Sequence, residues 1–186
     1  ATGTGTFLKH TITVIHDETK QRHNTEDISL NWLDYWNDYV YEKLLPRLYA
    51  FELMMASYSV AHMKVGMHLK SLGYRFERNQ RLNIYLTNTL EPHVENMQTH
   101  LFFNSIGAES LAANHVKEHR FFTVIIGNPP YSGISSNNSS WISSLINDYK
   151  YVDGEHFGER KHWLNDDYVK FLRFGEHSIE KSGVGI

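Results

Sequence analysis

Asn128-Pro129-Pro130-Tyr131 ends a short apolar run, Phe121-Phe122-Thr123-Val124-Ile125-Ile126-Gly127. The Asn128 amide and the carbonyls around two prolines are hydrogen-bond acceptors held with little freedom. Proline fixes φ and supplies no N–H, so the corner is stiff and poor in donors. Tyr131 adds a flat aromatic face. Acceptors beside a ring can take hydrogen bonds from an exocyclic amine and stack on the base that carries it.

Three upstream stretches carry groups suited to a polar cofactor. Ala1-Thr2-Gly3-Thr4-Gly5-Thr6-Phe7-Leu8 is a small-residue loop running into apolar positions. Gly3 and Gly5 permit tight turning and close backbone approach, and a helix starting near Thr6 would offer free N–H groups. A flexible tail has the same composition, and no strand precedes the loop to set its context. Leu48-Tyr49-Ala50-Phe51-Glu52-Leu53 places an acid near the end of an apolar run. A carboxylate between a strand and a helix can accept from ribose hydroxyls, or can simply favour the helix dipole. Arg81 to Leu90 is a third strand-like run, and Asn88 in its polar end suits an adenine ring edge or a turn.

The elements that must position these groups alternate. The run Phe121–Ile126 is β-branched and aromatic without polar alternation, so it reads as a strand buried on both faces. The prolines must end it, and the carboxyl end of such a strand is where ligands sit in open α/β sheets. His16 to Asp27 is polar and without period, which reads as an exposed loop. Ile28 to Leu45 repeats Leu30, Leu33, Trp36, Val40 and Leu44 at helical spacing and stops at Pro46. Residues 16–47 thus form a helical insertion. Further helices are expected over Met54–Leu72 with Gly73 as its cap, over Ala108–His119, and from a cap at Asn165 to Gly183. Ser132 to Ser140 is a polar loop beside the corner, where substrate-gating loops are expected. Trp141 and Tyr149-Lys150-Tyr151 add aromatics and a cation, which serve stacking and phosphate contact or plain packing. The pattern is α/β with a mainly parallel sheet and no dividing linker.

The 186 residues suffice for one domain with a core, and 41% hydrophobic with 21% charged is globular. A net charge of −3 lacks the basic excess of a stand-alone nucleic-acid binder. Without cysteine there is no disulfide framework and no thiolate metal site. No apolar run reaches membrane-spanning length and no signal peptide opens the chain, which suits a bacterial-type cytoplasmic protein. The chain opens on Ala inside a loop and closes on Ser182-Gly183-Val184-Gly185-Ile186, a turn leading into a strand that is cut off. It reads as a piece of a longer protein, truncated at both ends.

Together these stretches resemble the gamma class of N6-adenine DNA methyltransferases. Ala1 to Leu8 looks like the first motif of that class without its leading Asp-Pro. Phe51-Glu52-Leu53 looks like the second, Leu86-Thr87-Asn88-Thr89-Leu90 like the third, and Asn128-Pro129-Pro130-Tyr131 matches the catalytic one. Gly127 to Gly133, Asp148-Tyr149-Lys150 and Asn165-Asp166-Asp167-Tyr168-Val169-Lys170-Phe171 extend the likeness to type ISP restriction-modification enzymes, large single chains that also carry nuclease and helicase parts. The resemblance covers nearly the whole chain. It implies a Rossmann-like methyltransferase fold and a partial catalytic domain over residues 1–186. A strand before residue 1 and a target-recognition region after Ile186 are the missing family parts.

The resemblance implies methyl transfer from S-adenosylmethionine to adenine N6 in double-stranded DNA, with the target base flipped out of the helix. The Asn128 side-chain oxygen and the Pro129 carbonyl would accept the amine hydrogens, Pro130 would stiffen the corner, and Tyr131 would stack on the base. Ala1, Thr2, Gly3, Gly5, Thr6, Phe7, Glu52, Leu53, Asn88 and Asn128 would surround the cofactor. Glu52 would take the ribose and the Gly3/Gly5 loop the amino-acid end. No strong base is needed, so the twelve histidines carry no assigned role, and no metal is expected. Partners would be DNA and the nuclease, helicase and recognition domains of the same long chain, with no membrane. Two alternatives stand beside this: methylation of glutamine side chains in release factors, whose planar amide presents similar hydrogens, and a non-catalytic structural or DNA-contacting fragment. The isolated chain is expected to be inactive.

Overall fold

The computed structural model describes residues 2–26, 28–76, 80–91, 104–131, 135–156, 158 and 162–186. Two compact units divide them, Thr2–Thr87 and Asn88–Ile186. Both mix helix and strand.

The first unit opens with helix α1, Thr6–Thr25. It runs straight through the stretch expected as a loop from His16. The buried positions Leu8, Ile12 and Thr19 keep helical spacing, and polar Thr19 hides that period in the sequence. Lys20, Gln21 and Arg22 on the exposed side are good helix formers. Asn31 then caps α2, Trp32–Tyr39, by accepting from the Leu33 N–H at 2.9 Å. The expected single helix to Leu45 instead widens over Val40–Leu44, where the Leu45 N–H reaches back five residues to Val40. It then tightens into a 3-10 turn, Leu45–Arg47. Pro46 has no N–H and its ring would strike the carbonyl four residues back, so an undistorted α-helix cannot continue.

Strand β1, Tyr49–Glu52, and strand β2, Asn83–Leu86, pair in parallel, Tyr49 opposite Asn83 and Glu52 opposite Leu86. A parallel pair needs a crossover, and α3, Met55–Ser71, supplies it. Gly73 ends α3 as expected, with φ +91°. Its N–H bonds to Lys70 and that of Tyr74 to Leu69, a Schellman motif. Leu8, Ile12, Trp36, Val40, Ala61, Val65, Leu69 and Ile84 lie in one apolar core between α1, α2, α3 and the strands.

The second unit contains α4, Asn104–His119, α5, Ser140–Asp148, and α6, Asp167–Ser182. A two-residue hairpin pairs β3, Tyr151–Val152, with β4, Glu155–His156, antiparallel. Asp166, not Asn165, caps α6, accepting from the Tyr168 N–H at 2.9 Å. Gly183 closes it at φ +76°. Leu90, Ile142 and Phe174 form one apolar cluster, flanked by Trp141, Leu145 and Phe171.

The central buried strand expected over Phe121–Ile126 is not present. Phe121 is 70% exposed, Val124 64% and Ile126 63%. Only a fragment of a ladder forms: the Ile186 N–H donates to Thr123 O and the Ile125 N–H donates to Ile186 O, both at 2.9 Å. This is the parallel pattern, with Ile186 opposite Val124. Apolar content shows what a segment would gain from burial. It does not supply the neighbouring strands that bury it, and among the described residues one residue pairs here. Among the described residues regular parallel pairing is confined to β1 and β2, and no more of the predicted parallel sheet is seen there.

Candidate functional site

The glycine loop and Glu52 meet at the carboxyl end of β1. Successive carbonyls of a strand point to opposite edges. Glu52 O accepts from Thr87 at 2.8 Å on the β2 side, while Phe51 O accepts from Thr2 at 2.9 Å on the other. The loop then crosses the strand end, and the Gly3 N–H donates to Glu52 Oε2 at 2.6 Å. The Met54 N–H donates to Oε1 at 2.9 Å. The carboxylate is therefore 4% exposed yet satisfied. Glu52 stands just before α3 and also touches the loop.

The two glycines do different work. Gly3 has φ +61°, and a Cβ there would meet nothing within 4 Å, so its backbone faces open space. Gly5 has φ +76°, and a Cβ would come within 3.2 Å of both carbons of Ala61 on α3. Gly5 thus serves close packing of the loop on the helix. Thr6 and the exposed Phe7 open α1, and Leu53 is exposed beside Glu52. Ala1 lies outside the described residues. Lys64, not singled out in the sequence, reaches from α3 to the hydroxyls of Thr4 at 3.3 Å and Thr6 at 3.1 Å. It is nearly sixty residues away in the chain, so no local pattern could have found it.

In the second unit, Asn88 is engaged by its own neighbours. Its Oδ1 accepts from the Leu90 N–H at 3.1 Å, and its Nδ2 donates to Asn137 Oδ1 at 2.7 Å and Glu91 Oε1 at 3.1 Å. Its carbonyl accepts from Lys117 Nζ at 2.6 Å. Burial lowers the Lys117 ammonium to about 8, against a smaller opposite pull from Glu91.

The corner Asn128–Tyr131 is open to solvent, with Pro129 half-buried. Among the described residues nothing hydrogen-bonds the Asn128 amide, which leaves its oxygen available. Tyr131 is 77% exposed, and its ring stacks on Tyr168 of α6, centroids 5.0 Å apart and planes 17° apart. Downstream, Asp167 Oδ1 accepts from Ser135 Oγ and from Asn137 Nδ2 at 2.9 Å. Lys170 Nζ donates to Ser135 Oγ at 2.8 Å, to Asn137 O, and to Asn138 Oδ1 at 3.3 Å. Burial pushes the Lys170 ammonium below the usual lysine range, with Asp167 opposing. The polar run after the corner is therefore tied down from Ser135 to Asn138. Of the proposed stacking groups, Trp141 packs against Phe174, and Tyr149 donates to Glu176 at 2.7 Å.

Among the described residues no cluster of three or more His, Asp or Glu side chains could hold a metal ion. No described helix is long and apolar enough to cross a membrane.

No protein-family model matches the chain, and no curated protein does. Solved structures do. The ATP-dependent type ISP restriction-modification enzyme LlaBIII, bound to DNA, matches 96% of this chain at 22% identity and TM-score 0.71. A nuclease-deletion mutant of the type ISP enzyme LlaGI, in complex with a DNA substrate mimic, matches 96% at 22% identity and TM-score 0.67. A DrdV–DNA complex matches 96% at 25% identity and TM-score 0.61. The chain spans 11%, 14% and 15% of those three chains. Its mixed α/β fold is therefore similar to that of a segment within much larger restriction-modification enzymes.

Proposed function

We propose that this chain carries the methyl-transferring residues of a restriction-modification enzyme that modifies adenine N6 in duplex DNA, with S-adenosylmethionine as donor. The observation that carries the reading is the Gly3-to-Glu52 hydrogen bond at the carboxyl end of a parallel strand pair. Two of the stretches proposed from sequence, 49 residues apart, touch there. The fold likeness to restriction-modification enzymes supports the same conclusion.

The residues fit such a cofactor. Each Glu52 oxygen holds one backbone N–H and keeps a second lone pair for a ribose hydroxyl. Gly3 faces open space where a Cβ would intrude on a ligand. When bound, the cofactor supplies an electrophilic methyl group on a sulfonium that departs neutral. Asn128 Oδ1 and the Pro129 carbonyl accept the two amine hydrogens, which localises the nitrogen lone pair away from the ring. Tyr131 stacks on the flipped base through its open face. Glu52 and the Gly3 loop would hold the cofactor, its methyl group would pass to the amine nitrogen, and the extra N6 proton would go to solvent. Proline rigidity means that the acceptors need little reorganisation.

Incubating the intact natural protein with methyl-labelled cofactor, and either duplex DNA or a release factor, tests this. Label on adenine is the expected outcome. Label only on protein would point to glutamine methylation, and label on neither would leave a non-catalytic role.

A further inference from the structure

The first turn of α6 touches the candidate base-stacking ring and holds the chain beyond it. Tyr168 lies flat against Tyr131, which is otherwise exposed. Two residues on, Lys170 is 2% exposed. A buried ammonium is costly unless its donors are matched, and lysine has three donors and no acceptor. All of its recorded partners, Ser135 Oγ, Asn137 O and Asn138 Oδ1, come from one four-residue stretch. Asp167 grips the same stretch through Ser135 and Asn137. Positions 167 and 170 share a helix face, so both grips act together.

We propose that the first turn of α6 is the positioning device for Tyr131. Tyr168 backs one face of the ring so that the opposite face receives the base, and Asp167 with Lys170 anchors the chain beyond it. This rests on the adenine-methylation reading for its function, though the anchoring is measurable without it. Tyr168 and Lys170 are positioning residues that act through Tyr131. An unbacked ring gains rotamer freedom that base binding must remove again, and misplaced reacting groups slow transfer.

Two measurements on the intact natural protein decide it. Steady-state transfer to duplex DNA should show kcat for Tyr168→Ala down about tenfold, with cofactor Kd unchanged and Tyr168→Phe within about twofold of wild type. If the alanine variant does not fold, Tyr168→Leu keeps the bulk without the ring and should show the same loss. Hydrogen exchange should show the Asn137 amide, which donates to Ser135 Oγ at 3.0 Å, losing protection in Lys170→Met while α5 keeps its own. Wild-type kcat and KM in both Tyr168→Ala and Tyr168→Leu, or unchanged Asn137 protection in Lys170→Met, overturns the proposal. If wild-type protein transfers no methyl to adenine, the functional reading fails, and unchanged Asn137 exchange in Lys170→Met still overturns the anchor.

Discussion

In the Thr2–Thr87 unit, apolar side chains from Leu8 to Ile84 pack between three helices and a parallel strand pair, and Glu52 rides on the end of that frame. In the Asn88–Ile186 unit Leu90, Ile142 and Phe174 form a smaller apolar cluster, and Asp167, Lys170 and Arg173 are buried as well. Arg173 alone holds Asp148 at 2.8 Å, Glu176 at 3.2 Å and Glu180 at 3.3 Å. The first unit rests on the larger apolar core, and the second relies more on matched polar groups. An apolar core yields gradually as atoms are removed, whereas a polar network fails when one member leaves others unpaired.

The sharpest expected contrast concerns activity. Asn128 is exposed and bonds no described side chain, so Asn128→Ala should change stability by less than about 0.5 kcal/mol. Methyl transfer should nevertheless fall about 10²–10³-fold, the usual loss when a group aimed at the transition state is removed. Cofactor Kd, measured by calorimetry, should stay put. Equal loss of both would undercut the proposed role of Asn128.

Glu52→Ala should do the reverse. It leaves the Gly3 and Met54 N–H groups without their buried acceptor, at about 1–3 kcal/mol for each unsatisfied group. The denaturation midpoint of the first unit should drop and cofactor binding should go with it. Glu52→Gln keeps the shape and one acceptor, so its loss should be smaller in both. A stable Glu52→Ala that still binds cofactor would sink the ribose assignment.

What sequence could show divides along the same line. β1, α3, its Gly73 cap and the α6 stop at Gly183 follow from periodicity and capping chemistry, which are local. The continuation of α1 to Thr25 was hidden because Thr19, a buried position, is polar. Phe121–Ile126 misled in the opposite sense, since its apolar residues lack the neighbouring strands a buried strand requires. The Gly3–Glu52 contact was foreseeable from motif order, but the grips of Lys64 and Lys170 were not. A lysine gives no sequence sign of which distant carbonyl or hydroxyl it will reach.

The same substitution in the two units should give unequal results. Gly5→Ala meets both a left-handed φ and the Ala61 backbone, and should cost the first unit about 1–2 kcal/mol in denaturant unfolding. Gly185 carries no such φ, but a Cβ there would press into the Thr123 carbonyl. Gly185→Ala should therefore break only the two bonds to Ile186, raising exchange at the Ile125 amide while the unit's melting point hardly moves. A global loss from Gly185→Ala would mean that this short pairing matters more than its exposure suggests.

A pH slope is also expected, belonging to the second unit. Burial lowers Lys117 from an ordinary 10.5 to about 8, so between those values the unfolded chain holds more protons than the folded one. Stability must then rise with pH across about 8 to 10.5, because deprotonation favours the state with the lower pKa. The neutral amine keeps an N–H for the Asn88 carbonyl, so the contact at 2.6 Å survives the loss of charge. Lys117→Met removes the titrating group. Denaturant midpoints measured across this range should show the wild type gaining on the variant as pH rises. The gain should show in probes in Asn88–Ile186, where Lys117 bonds Asn88 and Glu91. Parallel pH profiles for the two proteins would show that Lys117 is solvated like an ordinary lysine, and that polar burial in this unit is shallower than in the network around Lys170.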